Sequence, residues 1–210
     1  MVLRSKTFNN SAFSIQHSEL KIAILLAKVA LFQEMKKKGR CILMERIKWH
    51  EGAQEVLPIL SRGAFLTTIG PNKINVMTIA WGTVGYIWAR PIFLILVRPS
   101  RFTHQLLLAS QEFTVSIPAE EMKEALDICG KMSGRDGDKL AAAGLSVVAS
   151  QEIATPRLAC PGWHYECRVI DQYQMDPGHP NQDIQSVFYP AGDLHTMFFS
   201  EIVAQLRIKN

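Results

Sequence analysis

The sequence lacks the short motifs that mark catalytic sites built from side chains alone. It has no Gly-x-Ser-x-Gly segment, which would place a nucleophilic serine on a sharp strand-to-helix turn. It has no Gly-x-Gly-x-x-Gly after a strand pattern, as dinucleotide-binding folds require. His50-Glu51 is followed by Gln54 where a zinc-binding helix needs histidine. If the protein is an enzyme, a bound cofactor therefore has to carry the chemistry.

The chain is also poor in cysteine. Its four cysteines, Cys41, Cys129, Cys160 and Cys167, are isolated from one another, and no Cys-x-x-Cys pair occurs. A fold held together by disulfides has denser cysteines in a shorter chain. We therefore expect reduced thiols, a cytoplasmic protein and no metal site.

Most of the chain has no strong excess of charge of one sign, although the formal net charge is +4. Residues 1–43 hold eight Lys or Arg against two Glu, whereas the remaining residues hold fifteen basic against seventeen acidic side chains. A nearly neutral body offers no basic surface to a phosphate backbone. We therefore expect no nucleic-acid partner.

No apolar run near the N-terminus is long enough to cross a bilayer. The run from Ile22 to Phe32 is interrupted by Lys28, and a membrane-spanning helix needs about 20 consecutive apolar residues. Glu19 precedes this run where a signal peptide carries positive charge. We therefore expect no membrane partner.

The N-terminal part of the chain is interpreted as an extension, residues 1–43, before a single domain, residues 44–210. Capping residues at both ends predict a helix over about residues 18–38. Two hypotheses stay open for the extension. It is either a docked helix or a mis-assigned start, with Met44 as the first native residue. Gly39-Arg40 can be encoded by a ribosome-binding sequence, and an N-terminal peptide from before Met44, found by mass spectrometry, would exclude the second hypothesis.

Short β-branched and apolar runs, bounded by turn residues, predict a mainly β fold. Ala64–Ile69 and Ile74–Trp81 flank the turn sequence Gly70-Pro71-Asn72-Lys73, which predicts a hairpin. Further strands are predicted at Ile92–Val97, Phe113–Ile117, Leu145–Ala149, His164–Asp171 and His195–Val203.

Two helices and one long loop complete the prediction. The helices span Ser100 to Ser110, with Ser100 as the N-cap, and Glu120 to Cys129. Gln172 to Asp183 contains two prolines and a glycine and is expected to be irregular. Many short strands with few helices indicate an antiparallel barrel with helical decorations.

Two stretches form the candidate site. The strand Asn75 to Trp81 offers main-chain hydrogen bonds to a planar ring. Arg98-Pro99-Ser100-Arg101, followed by Thr103, offers cations and hydroxyls at a helix start, where a phosphate binds well. The pattern predicts a planar, phosphorylated ligand. The alternative is a Ser100-capped helix with solvated arginines, beside a strand whose odd-numbered side chains face the core.

These stretches resemble a known family. Asn75-x-Met77-Thr78-x-Ala80-Trp81, followed by Arg98-Pro99-Ser100-Arg101-x-Thr103, is similar to the pattern of the flavin reductase-like, FMN-binding split-barrel proteins of the flavoredoxin type. The segments Ser133–Lys139, Glu166–Val169 and His195–Val203 are similar to later parts of the same family. The resemblance implies that the mainly β domain is an antiparallel split β-barrel.

The resemblance also implies FMN as the resident cofactor. The residues expected to bind FMN are Asn75, Met77, Thr78, Ile79, Ala80, Trp81, Arg98, Pro99, Ser100, Arg101, Thr103 and Lys139. His195 is expected to be catalytic on the open side of the flavin, where it positions a nicotinamide or donates a proton to reduced flavin. The alternatives are a solvated helix lysine at Lys139 and a hydrogen-bonded strand histidine at His195.

The function that the resemblance implies is that of an FMN-dependent oxidoreductase, an NAD(P)H:flavin or ferric-chelate reductase. NAD(P)H would be the co-substrate, and its hydride would pass through flavin N5. The alternative is a flavoredoxin-like electron carrier with tightly bound FMN, a redox protein partner and no NAD(P)H activity of its own. A third reading is a split barrel with another cofactor or none. The resemblance further implies a homodimer, and the four tryptophans are typical of buried interfaces.

Overall fold

The computed structural model describes residues 43–178 and 180–209. The helix predicted over residues 18–38 lies outside the described residues, as does the rest of the extension before residue 43. None of the described helices has the length and apolar content that a bilayer crossing needs.

The described residues form ten strands and five helices. The strands are β1 (Leu43–Arg46), β2 (Ala64–Ile69), β3 (Ile74–Ile79), β4 (Gly82–Ile87), β5 (Arg90–Val97), β6 (Glu112–Pro118), β7 (Val147–Val148), β8 (Arg157–Leu158), β9 (Gly162–Gln174) and β10 (Thr196–Lys209). The helices are α1 (Ala53–Leu60), α2 (Phe102–Ser110), α3 (Lys123–Lys131), α4 (Lys139–Ala142) and α5 (Gln182–Phe188).

Eight of the strands form one antiparallel sheet around the long strand β10. The order is β3-β2-β6-β9-β10-β5-β4, and β1 pairs with the C-terminal end of β10. The pairing of β10 with β9 shifts register between Phe199 and Ser200 and again between Ile202 and Ala204. Such bulges increase the local twist and bend a strand. The predicted mainly β, antiparallel architecture with a few helices is confirmed.

The predicted hairpin is present, although its second strand is shorter than expected. β2 and β3 pair from Ala64↔Ile79 to Ile69↔Ile74, and the Gly70 N–H donates to the Lys73 carbonyl at 2.8 Å. β3 ends at Ile79, not at Trp81. The strand alternation therefore stops before Trp81, whose side chain is 39% exposed and does not belong to the core.

One hairpin was hidden in the sequence. The stretch that reads as a turn region from Gly85 to Pro91 is the end of β4, a two-residue turn and the start of β5. The turn residues Trp88 and Ala89 have φ values of 53° and 57°. Turns of this kind normally carry Asn-Gly or Asp-Gly, so the sequence does not show that the turn is only two residues long.

The segment predicted as an irregular loop is regular at both of its ends. β9 continues to Gln174, and α5 begins after Asn181, whose side chain accepts a hydrogen bond from the Ile184 N–H at 3.0 Å. The prolines and the glycine before Asn181 are confined to the short connection between β9 and α5. The loop prediction from Gln172 to Asp183 is therefore wrong at both ends.

Two apolar clusters position the elements around the site. The larger fills the inside of the sheet and includes Phe93, Tyr165 and Phe198. The smaller lies between β2, β3 and α3, where Phe65 and Cys129 are fully buried. Burial of apolar surface holds α3 against the back of β3, so the chain after α3 comes to lie beside the start of α2.

Candidate functional site

The two stretches selected from the sequence meet around two cavities that share Met77 and Arg101. The strand cavity, beside β3, has a volume of about 170 Å³. The helix cavity, at the start of α2, has a volume of about 130 Å³. A chain of residues that is contiguous in space therefore runs from the end of β3 to the start of α2.

Most of the predicted site residues line one of these cavities. The strand cavity is lined by Met77, Thr78, Ile79, Ala80, Trp81, Arg98, Arg101 and His195. The helix cavity is lined by Met77, Ser100, Arg101, Thr103 and Lys139, together with residues from the 129–135 segment. Asn75 and Pro99 line neither of the two, although Asn75 contacts Thr103.

The start of α2 differs from the prediction. The helix begins at Phe102, and Arg101 is the N-cap residue, with extended backbone and no side-chain capping hydrogen bond. The expectation that Ser100 caps this helix is wrong, because its hydroxyl donates to Asp193 instead. The first backbone N–H groups of a helix have no partner within the helix, and they attract anions.

Four cations surround this helix start. Lys73, Arg101, Arg135 and Lys139 have no carboxylate within 4 Å among the described residues, and the Arg101 guanidinium has no hydrogen-bond partner there either. Lys73 and Arg135 lie against the Phe102 ring, at 5.1 and 5.2 Å from its centroid. A cluster of positive charge without counter-charge favours a bound anion.

Lys139 is the most deeply placed of these cations. Its side chain is only 6% exposed, and Nζ donates to the Cys129 carbonyl at 2.9 Å. Burial lowers the pKa of Lys139, and repulsion from Arg101 and Lys73 adds to this effect, while nearby Cys129 opposes it. The predicted alternative, a solvated helix lysine, is wrong. Nζ makes no second hydrogen bond among the described residues, so a nearby anion would stabilise the charged lysine.

A buried acceptor lies behind the same helix start. The Asn75 amide nitrogen donates to Thr103 Oγ1 at 2.8 Å, whereas Asn75 Oδ1 has no partner among the described residues. A Cβ added to Gly134 would lie 2.0 Å from that oxygen, so only glycine fits there. An unsatisfied buried polar atom costs about 1–3 kcal/mol. The polar groups here are arranged for a ligand that donates as well as accepts hydrogen bonds.

The other side of the Arg98–Arg101 corner is filled by the chain itself. Ser100 Oγ donates to Asp193 Oδ2 at 2.6 Å, and the Ser100 N–H donates to Oδ1 at 3.3 Å. Arg98 donates to the carbonyls of Phe188 and Asp193 at 2.8 and 2.9 Å and lies over the Tyr189 ring. The donors that the sequence assigned to a phosphate are here paired with the last residue of α5 and with Asp193 after it.

Aromatic side chains border the strand cavity. The Trp81 ring meets the Phe188 ring edge-on, with 5.1 Å between centroids, and the His195 ring at the same distance. Thr78 Oγ1 donates to the Leu126 carbonyl at 2.6 Å, so this hydroxyl is engaged with α3. Apolar and aromatic surface is the cover that a flat ring needs.

His195 faces the strand cavity with one ring nitrogen already paired. Its Nδ1 lies 2.7 Å from the Tyr189 hydroxyl, and its side chain is 8% exposed. Burial lowers the pKa of His195 to about 4, and the nearby Arg98 charge contributes in the same direction. The ring is therefore neutral at pH 7. Of the two predicted roles, positioning of a ring suits a neutral imidazole better than proton donation.

His164 shows the purely structural form of a buried histidine. Its Nε2 and Nδ1 lie 2.9 Å from the Cys160 carbonyl and from Ser116 Oγ, respectively. Because a carbonyl only accepts, Nε2 carries the proton and Nδ1 accepts from the serine. Burial lowers the pKa of His164 to about 3. Both ring nitrogens are used, and none is left for a substrate.

Sequence reasoning missed five residues that shape the site. They are Gly134, Arg135, Phe188, Tyr189 and Asp193. Arg135 and Gly134 lie in the segment that carries Lys139, which could have drawn attention to them. Phe188 ends a helix that the sequence did not predict, and Tyr189 and Asp193 follow it. No local signal links these three residues to Arg98.

The family model of the flavin reductase-like domain matches residues 57–209. A relative from Archaeoglobus fulgidus, an uncharacterized protein, is 27% identical over 139 residues, which are 66% of this chain and 68% of the relative. A second uncharacterized relative, from Pyrococcus abyssi, is 31% identical over 101 residues, 48% of this chain and 56% of its own length. The chain thus spans just over half of the second relative.

Several solved structures with the same fold are of proteins named for a flavin. The FMN-binding domain of a flavin reductases-like enzyme from Shewanella baltica has a TM-score of 0.57 and 16% identity, covering 79% of this chain and 78% of its own. The flavoredoxin of Methanosarcina acetivorans has a TM-score of 0.54 and 23% identity, covering 68% and 66%. The NADH:FAD oxidoreductase of Streptomyces globisporus has a TM-score of 0.54 and 23% identity, covering 69% and 75%.

At these identities the structural likeness concerns the fold, and it confirms the split β-barrel that the sequence predicted. The match to the family model covers far more than half of the chain. This protein therefore belongs to the flavin reductase-like family.

Proposed function

We propose that this protein binds FMN and is a flavin-dependent reductase that uses NAD(P)H. The observation that carries the proposal is the junction at Met77 and Arg101. There, buried Lys139 and exposed Arg101 and Arg135, none with a carboxylate within 4 Å among the described residues, lie at a helix start that adjoins a cavity bordered by aromatic rings. A flat ring system linked to a phosphate matches both halves.

The helix cavity fits the phosphate end of FMN. Arg101, Arg135 and Lys139 supply positive charge, and the first N–H groups of α2 supply hydrogen-bond donors. Thr103 Oγ1 already accepts from Asn75, so its hydroxyl proton is free to be donated. The unpaired Asn75 Oδ1 suits a hydroxyl of the polyol chain.

The strand cavity fits the ring end. Met77 and Trp81 give apolar cover, and the segment from Met77 to Trp81 brings main-chain groups to the cavity wall. His195 contributes a neutral imidazole whose orientation is fixed by Tyr189. When bound, FMN supplies a ring that accepts a hydride from NAD(P)H and passes electrons to free flavin or a ferric chelate. The protein residues bind and orient that ring and keep water from it.

The test is an absorbance spectrum of the purified protein, repeated after anaerobic addition of NADH or NADPH. We expect flavin bands that bleach with one of the two nucleotides, and FMN in the supernatant after heat release. A colourless protein that takes up no added FMN would reject the proposal. Recovery of FAD alone would reject the choice of cofactor.

One observation favours the flavoredoxin-like carrier as a second candidate. Hydrogen bonds from Arg98 and Ser100 hold Phe188 and Asp193, at the end of α5 and after it, beside the strand cavity. Hydride transfer needs room for a nicotinamide ring, whereas electron exchange with a redox protein partner tolerates a covered flavin. Bands that bleach with dithionite and not with either nicotinamide nucleotide would select the carrier.

We also propose that the active unit is a homodimer. What supports it is the apolar end of β4 and the turn after it, where Tyr86, Ile87 and Trp88 are 59%, 38% and 57% exposed. Exposed aromatic side chains next to one another are typical of protein interfaces. Sedimentation of the FMN-bound protein should give twice the chain mass of 23.6 kDa. A species of the single-chain mass with FMN still bound would contradict a dimeric active unit.

A further inference from the structure

The corner before α2 offers anion-binding donors on two sides, and a carboxylate of the same chain occupies one of them. Asp193 accepts hydrogen bonds from both the hydroxyl and the N–H of Ser100, at 2.6 and 3.3 Å. A phosphate would bind Ser100 in the same way, with one oxygen accepting from the hydroxyl and another from the backbone N–H. Asp193 thus fills a place that suits a phosphate oxygen.

The position of this carboxylate is enforced by its backbone. Gly192 and Asp193 have φ values of 77° and 56°, in the left-handed region that aspartate tolerates better than most residues. The Asp193 carbonyl accepts a hydrogen bond from Arg98 at 2.9 Å. The turn and the arginine hold the carboxylate on Ser100, so a ligand would have to break several contacts to displace it.

Ser100 is the point where the two sides meet. It lines the helix cavity, together with Arg101 and Lys139, and it is also the residue that Asp193 holds. A phosphate monoester ends in the helix cavity and needs no more space. A diphosphate carries a second charged group beyond the first, and at Ser100 that group would meet the Asp193 carboxylate. The negative charges of the second phosphate and of the Asp193 carboxylate would repel each other.

We propose that Asp193 makes this site selective for a flavin mononucleotide over a flavin that continues through a diphosphate. This inference rests on the proposed function, since it presupposes that the helix cavity binds the flavin phosphate. Asp193 acts here as a specificity-determining residue, with Ser100 as its contact and Arg98 as its support.

The test compares the dissociation constants of FMN and FAD for the wild type and for Asp193→Asn. The asparagine keeps the size of the side chain and removes its charge. We expect the wild type to prefer FMN, and we expect the FAD-to-FMN ratio of dissociation constants to fall about tenfold in the variant. Asp183→Asn, on the same segment with an exposed carboxylate, is the matched control and should leave the ratio unchanged.

Ser100→Ala gives a second route to the same answer. It releases the carboxylate without changing the Gly192–Asp193 turn, and it should move the ratio in the same direction. Damage to the fold would weaken both flavins together and leave the ratio in place. A wild type that binds both flavins equally, or an unchanged ratio in both folded variants, would overturn the inference while FMN binding itself stands. A wild type that binds neither flavin would overturn the proposed function and the inference with it.

Discussion

Arg98 and Arg101 lie three positions apart in one short corner, yet the structure gives them opposite surroundings. The Arg101 guanidinium has no hydrogen-bond partner among the described residues and lies beside buried Lys139. Arg98 donates to two backbone carbonyls and lies over the Tyr189 ring. The Arg101 side has no carboxylate partner among the described residues, whereas the Arg98 side is paired with residues ninety or more positions away.

This difference shows which polar groups are available to a ligand. On the Arg101 side, Lys139 is a buried charge without a carboxylate partner among the described residues. Such a charge is costly, and it persists where binding or catalysis needs it. Donors that the chain pairs internally hold the fold together instead. We therefore propose that the ligand binds on the Arg101 side, beside buried Lys139, and that the Arg98 side supports the border of the site.

The largest expected effect comes from the unsatisfied side. Lys139→Met removes a buried charge while keeping an unbranched side chain of similar length. Hydrogen bonds to charged groups contribute about 1.5–3 kcal/mol, so FMN should bind roughly 10- to 100-fold more weakly. The free protein should be as stable as the wild type or more so, because an uncompensated buried charge is gone.

Fluorescence titration with FMN measures the affinity, and urea unfolding measures the stability. Lys131→Met is the control, since that lysine is largely exposed and only 3.8 Å from the surface carboxylate of Asp127. An FMN affinity in Lys139→Met equal to that of the control would show that the phosphate lies elsewhere.

On the satisfied side, Arg98→Met should change stability more than affinity. The variant loses two charge-assisted hydrogen bonds to Phe188 and Asp193. We expect the free energy of unfolding to fall by about 1–3 kcal/mol, with a loss of FMN affinity smaller than that of Lys139→Met. If the affinity falls as much as in Lys139→Met and the stability does not change, Arg98 serves the phosphate directly, as the sequence pattern predicted.

The smallest expected effect concerns the pH dependence of stability through His195. Its folded-state pKa is lowered to about 4 from an ordinary value of 6.5. Above pH 6.5 the ring is neutral in both states. As the pH falls below 6.5, the unfolded state takes up a proton and the folded state does not, so stability is lost until about pH 4.

The comparison that isolates this effect is His195→Gln. Between pH 7 and pH 5 the wild type should lose about 1.5–2 kcal/mol more unfolding free energy than the variant. His164 contributes acid sensitivity equally to both proteins, and it cancels in the difference. Parallel stability curves for the two proteins over this pH range would show that His195 is solvated and titrates normally.

The two sides of the corner also differ in how well the sequence could predict them. Several features depend on local signals in the sequence. A Gly-Pro-Asn-Lys turn marks the β2–β3 hairpin, apolar periodicity marks the helix from position 102, and cations next to hydroxyls mark the corner before that helix. These signals act over a few residues. These signals therefore led to residues on the Arg101 side and along β3 that line the two cavities, and their contact with FMN stays a prediction.

The Arg98 side depends on residues that are distant in the chain. Ser100 was predicted to cap α2 because serine commonly does so, but the carboxylate of Asp193 takes its hydroxyl and N–H. Tyr189 and Asp193 follow α5, which the prolines before Asn181 concealed. Neither local pattern indicates that the corner before α2 contacts the segment after α5. The contacts of Ser100 with Asp193 and of Arg98 with Tyr189 could therefore not be predicted from the sequence.

The most direct test of the account compares the affinity of the wild-type protein for FMN and for riboflavin, which has the same ring and polyol chain without the phosphate. If the cations at the start of α2 hold that phosphate, FMN should bind about a hundredfold more tightly or better, since several charge-assisted hydrogen bonds depend on it. The advantage should shrink in Lys139→Met. Equal affinity of the wild type for the two flavins would contradict the placement of the phosphate at α2, and with it the central claim.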